Sequence, residues 1–192
     1  MSRRWDVASF LSPLGLIALV AGGEGIVRVL ICADEVELQR RLEVEFFGAV
    51  LREDCGGEAE KGVLQLKEYF SGSRWHFSLR LDFSGVAPYS RAVFTQLCDI
   101  PYATTISYRE LAEKSGSVGA ARAVGQVMRR NRWPLLLPCH RVVASDGHCG
   151  GYSAASGETA KCWLHAFEKA MLVERGNKKS QKNLDSPSIR LL

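Results

Sequence analysis

Hydrophobic and polar positions change period several times along the chain, and the changes outline two units. Residues 14–21 and 26–31 are apolar runs separated by Gly22-Gly23-Glu24-Gly25, which predicts two strands and a hairpin. Arg3 and Arg4 ahead of the first run also resemble the start of a secretion signal, but Ser12-Pro13-Leu14-Gly15 interrupts it early and favours the hairpin. Residues 35–51 have the spacing of an amphipathic helix, 53–62 read as a polar Gly-containing loop, and 64–70 as a second helix closed by Ser71-Gly72. Phe77, Leu79, Leu81 and Phe83 then alternate with Ser78, Arg80 and Asp82, the period of a half-buried strand. Three strands with helices predict a small α/β domain over residues 1–85, joined by a link at 84–90 to a second domain over 86–173.

The second domain is patterned for helices. Residues 91–98 form one, stopped near Pro101, and Ser107-Tyr108-Arg109-Glu110 is a capping box that starts another. That helix ends near Ser115-Gly116, and Ser117 is positioned to cap the next, giving a helix-turn-helix. The following helix, 118–130, sets Ala120, Ala121, Val124, Val127 and Met128 on one face and Arg122, Gly125, Gln126 and Arg129 on the other. A glycine inside a helix costs about 1 kcal/mol relative to alanine. Close approach of a nucleic-acid groove would offset that cost; so would tight packing against a neighbouring helix, with the arginines merely solvated. Arg129, Arg130 and Arg132 shift the balance toward phosphate contacts.

Composition narrows the class without naming a partner. With 192 residues, 46% hydrophobic and 24% charged, the chain is a globular protein and not a collagen, a coiled coil or a disordered polymer. The net charge of +4 hides a gradient: residues 1–90 carry 10 basic and 13 acidic side chains, 91–173 carry 10 and 6, and 174–192 carry 5 and 2. A basic rear half suggests a unit facing something anionic. Cys32, Cys55, Cys98, Cys139, Cys149 and Cys162 show neither Cys-x-x-Cys pairing nor zinc spacing, so neither a disulfide framework nor a metal site is expected. No apolar run approaches the roughly 18 residues of a spanning helix, which leads to an expectation of a cytoplasmic protein, nuclear in a eukaryote. The Lys-rich segment 174–192 reads as a disordered tail.

The chemistry concentrates at residues 135–141. Three leucines predict a short buried strand that delivers Pro138-Cys139-His140-Arg141, where a His and an Arg could each lower the thiol pKa and make a nucleophile. Adjacent residues in a strand point to opposite faces, so Cys139 and His140 cooperate only through a bend or a water. A buried, inert cysteine beside a hydrogen-bonded histidine fits the same residues. In the last helix, about 158–173, Glu168 falls on the apolar stripe of Ala160, Trp163, Leu164, Phe167, Met171 and Leu172 and needs a buried partner, for which His140 is the candidate. Asn131, at the end of the arginine-rich helix, reads on its own as a left-handed C-cap.

Pro138-Cys139-His140-Arg141-Val142-Val143 resembles the active-site signature of the O6-alkylguanine-DNA alkyltransferases, also called methylated-DNA–protein-cysteine methyltransferases. Ser12-Pro13-Leu14-Gly15, Leu66-Lys67-Glu68-Tyr69-Phe70-Ser71-Gly72, Ile100-Pro101-Tyr102, Ile106-Ser107-Tyr108, Ala121-Arg122-Ala123-Val124-Gly125, Asn131 and Gly150-Gly151-Tyr152-Ser153 follow the same family's order, over about residues 12–170. The chain departs from the family pattern at Ala103, where glycine is frequent, and at Ala154-Ala155, where two glycines are usual. The resemblance implies an α/β N-terminal domain of ribonuclease-H-like topology and a mostly α C-terminal domain with a winged-helix-like helix-turn-helix. It also implies one-use transfer of an alkyl group from O6 of guanine to Cys139, without cofactor or metal.

By the same resemblance, His140 is the general base through a water, Glu168 orients it, and Asn131 ties the recognition helix to the active-site strand. Tyr108 meets phosphate and assists proton transfer to the leaving guanine, and Arg122 takes the place of the extruded nucleotide. The Val142 backbone, Tyr152 and Ser153 line the guanine pocket, while Arg109, Ser117, Gly125 and Ser145 occupy DNA-contact positions. The partner is double-stranded DNA bound through its minor groove by a monomer, and the remaining five cysteines are packing residues. A noncatalytic lesion-binding relative is the competing reading, although such proteins lack the cysteine that stands here at 139; a cysteine hydrolase would not explain the arginine stripe.

Overall fold

The computed structural model describes residues 4–152, 157–178 and 190–191. The chain divides into two units, one formed by residues 1–84 with the segment from 188 onward and the other by 85–187.

The first unit is a mixed sheet with two helices. Strands β1 (Arg4–Ser12), β2 (Gly15–Gly22) and β3 (Gly25–Cys32) form an antiparallel meander, so the expected hairpin is present and gains a strand on its N-terminal side. Ser12-Pro13-Leu14-Gly15 is the turn between β1 and β2: Ser12 Oγ accepts the Leu14 N–H at 3.1 Å and donates to the Gly15 carbonyl at 2.7 Å. Gly15 has φ +101° and lies against the Cys32 carbonyl, so no side chain fits there. Helix α1 (Glu35–Glu45), N-capped by Asp34, precedes β4 (Val50–Glu53), and α2 (Glu58–Phe70) precedes β5 (Arg80–Leu81). The strand order is β4-β1-β2-β3-β5-β8, with β8 (Arg190–Leu191) parallel to β5.

Both faces of β2 are covered, which explains its unbroken apolar run. Ala18 and Val20 join Leu38 and Leu42 of α1 in one cluster, while Leu19 reaches the backbone of Gly62 in α2. Several expected boundaries change. The first helix stops at Glu45, and residues 50–53 are strand because they pair with β1. The predicted polar loop loses its second half to α2, whose first turn is held by Asp54, which accepts the N–H groups of Gly57, Ala59 and Glu60. The alternation from Phe77 to Phe83 is real as burial, but the strand itself is only Arg80–Leu81, held to β3 by the Asp82 N–H donating to the Ile26 carbonyl at 2.9 Å.

The second unit contains α3 (Pro88–Cys98), a two-stranded parallel pair β6 (Ile106–Ser107) and β7 (Val142–Val143), α4 (Tyr108–Lys114), α5 (Ala121–Arg129) and α6 (Glu158–Lys178). The capping box is formed: the Ser107 hydroxyl accepts the Glu110 N–H at 3.1 Å, and Glu110 accepts the Ser107 N–H at 2.6 Å. Ser117 does not cap α5. Its carbonyl accepts the Ala120 N–H in a turn through Gly119, and the helix begins three residues later than its first expected cap allows.

Residues 174–178, expected to open an irregular tail, continue α6, since no helix breaker precedes Gly176. Residues 190–191 belong to the sheet of the first unit, and 179–189 lie outside the described residues. Among the described residues no helix is long and apolar enough to cross a membrane.

Candidate active site and nucleic-acid interface

Asn131 follows the end of α5 and is buried, with three side-chain hydrogen bonds. Its Oδ1 accepts the Trp133 N–H at 2.9 Å, and its Nδ2 donates to the Leu137 carbonyl at 3.2 Å and to Cys139 Sγ at 3.1 Å. A backbone N–H can only donate and a carbonyl can only accept, so these neighbours fix which way the amide points. The plain C-cap reading is therefore replaced. Asn131 links the end of α5 to the turn that carries Cys139, and Trp133, fully buried edge-on to Phe94, anchors the link.

The segment carrying Cys139 is not a strand. Leu135 has φ +74°, Pro134 and Leu137 make one isolated bridge, and Cys139–Arg141 form a single 3-10 turn. The chain bends at this point, yet the two side chains still diverge. Cys139 opens on a cavity of about 680 Å³, while His140 points back into the core toward Glu168.

His140 Nε2 lies 2.9 Å from Glu168 Oε1, and both side chains are about 1% exposed. Glu168 also accepts the Ala103 N–H at 2.9 Å and a forked contact from Arg141, with Nη2 at 2.9 Å from Oε1 and Nε at 3.1 Å from Oε2. Arg141 Nη1 donates to the Ile100 carbonyl at 2.8 Å. Burial would raise the Glu168 carboxyl, but His140 and Arg141 more than offset it and keep it ionised well below the usual range. Burial lowers the His140 pKa despite the pull of Glu168, so the imidazole is neutral with its proton on Nε2. Nδ1 is then an unprotonated acceptor, buried and without a hydrogen-bond partner among the described residues.

Burial also raises the Cys139 thiol, against opposing contributions from the Asn131 hydrogen bond and the Lys161 charge. The thiol stays protonated at rest. Lys161, on the first turn of α6, is buried; its Nζ donates to the Val142 carbonyl at 2.6 Å and lies 3.4 Å from the Tyr108 hydroxyl. Tyr108 is half-buried, and burial is the largest cause that raises its phenol. Around the mouth stand Arg109 of α4, Arg122, Gly125 and Arg129 of α5, Ser145, and the Gly150-Gly151-Tyr152 segment. The Gly125 surface is open, with no protein atom within 4 Å of where a Cβ would be.

Two family models cover most of the chain. Residues 7–83 match the ribonuclease-like domain of 6-O-methylguanine DNA methyltransferase, and residues 88–170 match its DNA-binding domain. The chain belongs to the 6-O-methylguanine DNA methyltransferase family.

Among the relatives of this methyltransferase family member, the methylated-DNA–protein-cysteine methyltransferase of Methanosarcina barkeri is 34% identical over 82% of this chain and 93% of its own. The Mycobacterium leprae enzyme of the same name is 40% identical over 61% of this chain and 69% of its own. A crystal structure of Mycobacterium tuberculosis O6-methylguanine methyltransferase superposes with a TM-score of 0.72 at 30% identity, covering 88% of this chain and 93% of that one. The M. tuberculosis OGT crystallised in complex with DNA gives 0.71 at 28% identity, covering 88% and 94%.

The fold expectation therefore holds: a ribonuclease-like α/β domain is followed by a mostly helical DNA-binding domain. Of the residues expected at this methyltransferase site, the cavity gathers Cys139, Tyr108, Arg109, Arg122, Gly125, Ser145 and Tyr152. Asn131, His140 and Glu168 stand behind Cys139 as a buried network, and the Val142 carbonyl is engaged by Lys161. Ser117 does not line the cavity, and Ser153 lies outside the described residues.

The α6 stripe needs correction. Ala160, Lys161, Leu164 and Glu168 are the buried positions, whereas Trp163 is 37% and Leu172 44% exposed. Arg141, expected to act on the thiol, instead neutralises Glu168. Sequence reasoning missed Lys161, although its seven-residue spacing from Glu168 puts both on one helical face. It expected no disulfide framework and read these cysteines as packing residues, yet Cys149 and Cys162 are bridged; the spacing resembles no framework because a loop and a helix bring the two together. Nor are all the other cysteines packing residues, because Cys55 is exposed.

Proposed function

We propose that this chain repairs O6-alkylguanine in double-stranded DNA by direct reversal, moving the alkyl group to Cys139 in a single irreversible turnover. The observation that carries this reading is Cys139 Sγ, open to a nucleotide-sized cavity and hydrogen-bonded by Asn131 while the His140–Glu168–Arg141 network is buried behind it. Its family membership and its relatives' names support the same chemistry.

The O6 position is out of reach in a stacked duplex, so the nucleotide is flipped out at a cost of a few kcal/mol. Helix α5 enters the minor groove with Gly125 at its closest approach, and Arg122 fills the space left in the stack. Arg109, Ser117 and Ser145 make DNA contacts that do not depend on base sequence. The Val142 carbonyl, which has a second lone pair beside its bond to Lys161, joins Tyr152 and Ser153 around the guanine. Neutral His140 takes the thiol proton through a water at Nδ1, with Glu168 holding the ring in place. Sγ forms a bond to the alkyl carbon as the carbon–O6 bond breaks, and the electron pair leaves on guanine, where Tyr108 assists protonation. A thioether remains, so the protein is consumed. It acts as a monomer, in the cytoplasm or, in a eukaryote, in the nucleus.

The test is incubation with a duplex carrying O6-methylguanine, followed by intact mass measurement. A gain of about 14 Da localised to Cys139 and abolished in Cys139→Ser is the expected result. Binding of the duplex without any mass gain would instead identify a lesion-marking protein.

A further inference from the structure

The Cys149–Cys162 disulfide lies beside the site just described, and the proposed alkyl transfer makes no use of it. Cys149 is half-buried in the loop after β7, Cys162 is exposed on the first turn of α6, and their Cα atoms are 6.1 Å apart. The segment it closes contains Gly150, Gly151 and Tyr152, which form part of the cavity wall, and Lys161. The bridge thus ties the wall of the pocket to the helix that carries Glu168.

His165, one turn after Cys162, faces the same pair. Its Nε2 bonds the His140 carbonyl, and its Nδ1 lies 3.8 Å from Cys149 Sγ. A carbonyl only accepts, so Nε2 carries the ring proton and Nδ1 presents a lone pair to Cys149. In the reduced protein that nitrogen is placed to take the Cys149 thiol proton. An exposed cysteine, a partner with an adjacent base and a pocket-lining segment between them are the parts of a redox-responsive device, and disulfides in reducing compartments are mostly transient ones.

We infer that Cys149 and Cys162 are a reversible thiol–disulfide strap that, when closed, holds the pocket wall on α6 and limits the size of the alkyl group admitted to Cys139. The size limit rests on the alkyl-transfer reading; the strap itself does not. A low-molecular-weight disulfide RSSR is the oxidant. The Cys162 thiolate attacks it, giving a mixed disulfide and one RS⁻. Cys149, its proton passed to His165, then attacks the Cys162 sulfur and releases the second RS⁻. The protein loses two electrons and two protons, and RSSR becomes two RSH.

The experiment uses the full chain equilibrated with oxidised or reduced glutathione. Peptide mapping should find Cys149 linked to Cys162 in the oxidised sample, with an intact mass about 2 Da lower and restored by the reduced form. Amide exchange in 149–152 should be slower in the oxidised state. Duplexes carrying O6-methylguanine and O6-benzylguanine then report on the pocket. If closure leaves roughly a tenth of molecules open enough for the larger group, reduction speeds benzyl transfer about tenfold and changes methyl transfer little. Cys162→Ser should match the reduced wild type in either buffer. Failure to form the link, equal exchange in the two states, or equal redox effects on both duplexes would overturn the inference. No alkylation of Cys139 in either state would sink the alkyl-transfer reading, and the exchange comparison would still decide the strap.

Discussion

His140 turns Nε2 to Oε1 of Glu168 at 2.9 Å and keeps Nδ1 buried, with no hydrogen-bond partner among the described residues. One carboxylate thereby selects the tautomer in which the free nitrogen is a base. The same carboxylate neutralises Arg141, so its removal has two consequences. Glu168→Gln should slow Cys139 alkylation by roughly 100-fold through the loss of an oriented base. It should also destabilise the protein by about 3 kcal/mol, because Arg141 is left as an uncompensated buried charge. Single-turnover rates and urea unfolding measure the two effects separately; an unchanged rate would remove His140 from the reaction.

The pH dependence has a defined sign. Burial holds the folded-state pKa of His140 below its ordinary 6.5. Below 6.5 the unfolded chain takes up the proton first, so stability falls as the pH drops toward the folded value and is constant above 6.5. Glu168 has the depressed carboxylate behaviour: its contribution is fully present above 4.5 and is lost progressively as the pH falls from there to its much lower folded value. The alkylation rate should follow His140, flat above 6.5 and declining at some lower pH. A pH–rate profile with its acid limb centred above 6.5 would contradict the buried neutral base.

Gly125 separates stability from binding. Position 125 is inside α5 with open space around it, so Gly125→Ala should stabilise the fold by about 1 kcal/mol through helix propensity alone. The added methyl group occupies the face proposed to enter the groove, and duplex affinity should fall about tenfold, equivalent to about 1.4 kcal/mol. Thermal melts and binding isotherms at one salt concentration check both. Unchanged affinity would place the DNA elsewhere.

Ala103 holds φ +60° while its N–H donates to Glu168 Oε2. A left-handed conformation costs a residue with a Cβ roughly 1–2 kcal/mol. Ala103→Gly relieves that strain at the expense of a more flexible unfolded chain, and a net gain of about 0.5 kcal/mol is expected from denaturation curves.

Much of this arrangement is legible in the sequence because it rests on local rules. The capping box at Ser107, the two-face character of α5 and the partner required by Glu168 each follow from residue spacing and burial costs. What was not legible depends on contacts between distant segments. Residues 50–53 look like a helix end until β1 offers them a ladder, and 135–137 look like a strand although the Asn131 amide and a left-handed Leu135 fold them into a turn. Lys161 and the Cys149–Cys162 bridge depend on how α6 meets the loop after β7, which no local period encodes.

The central claim is transfer to Cys139 in one turnover, and stoichiometry tests it most directly. With O6-methylguanine duplex in large excess, repaired guanine should rise once and stop at about one per protein molecule, matched by one methylated Cys139. Continued repair beyond that plateau with Cys139 unmodified would contradict the account.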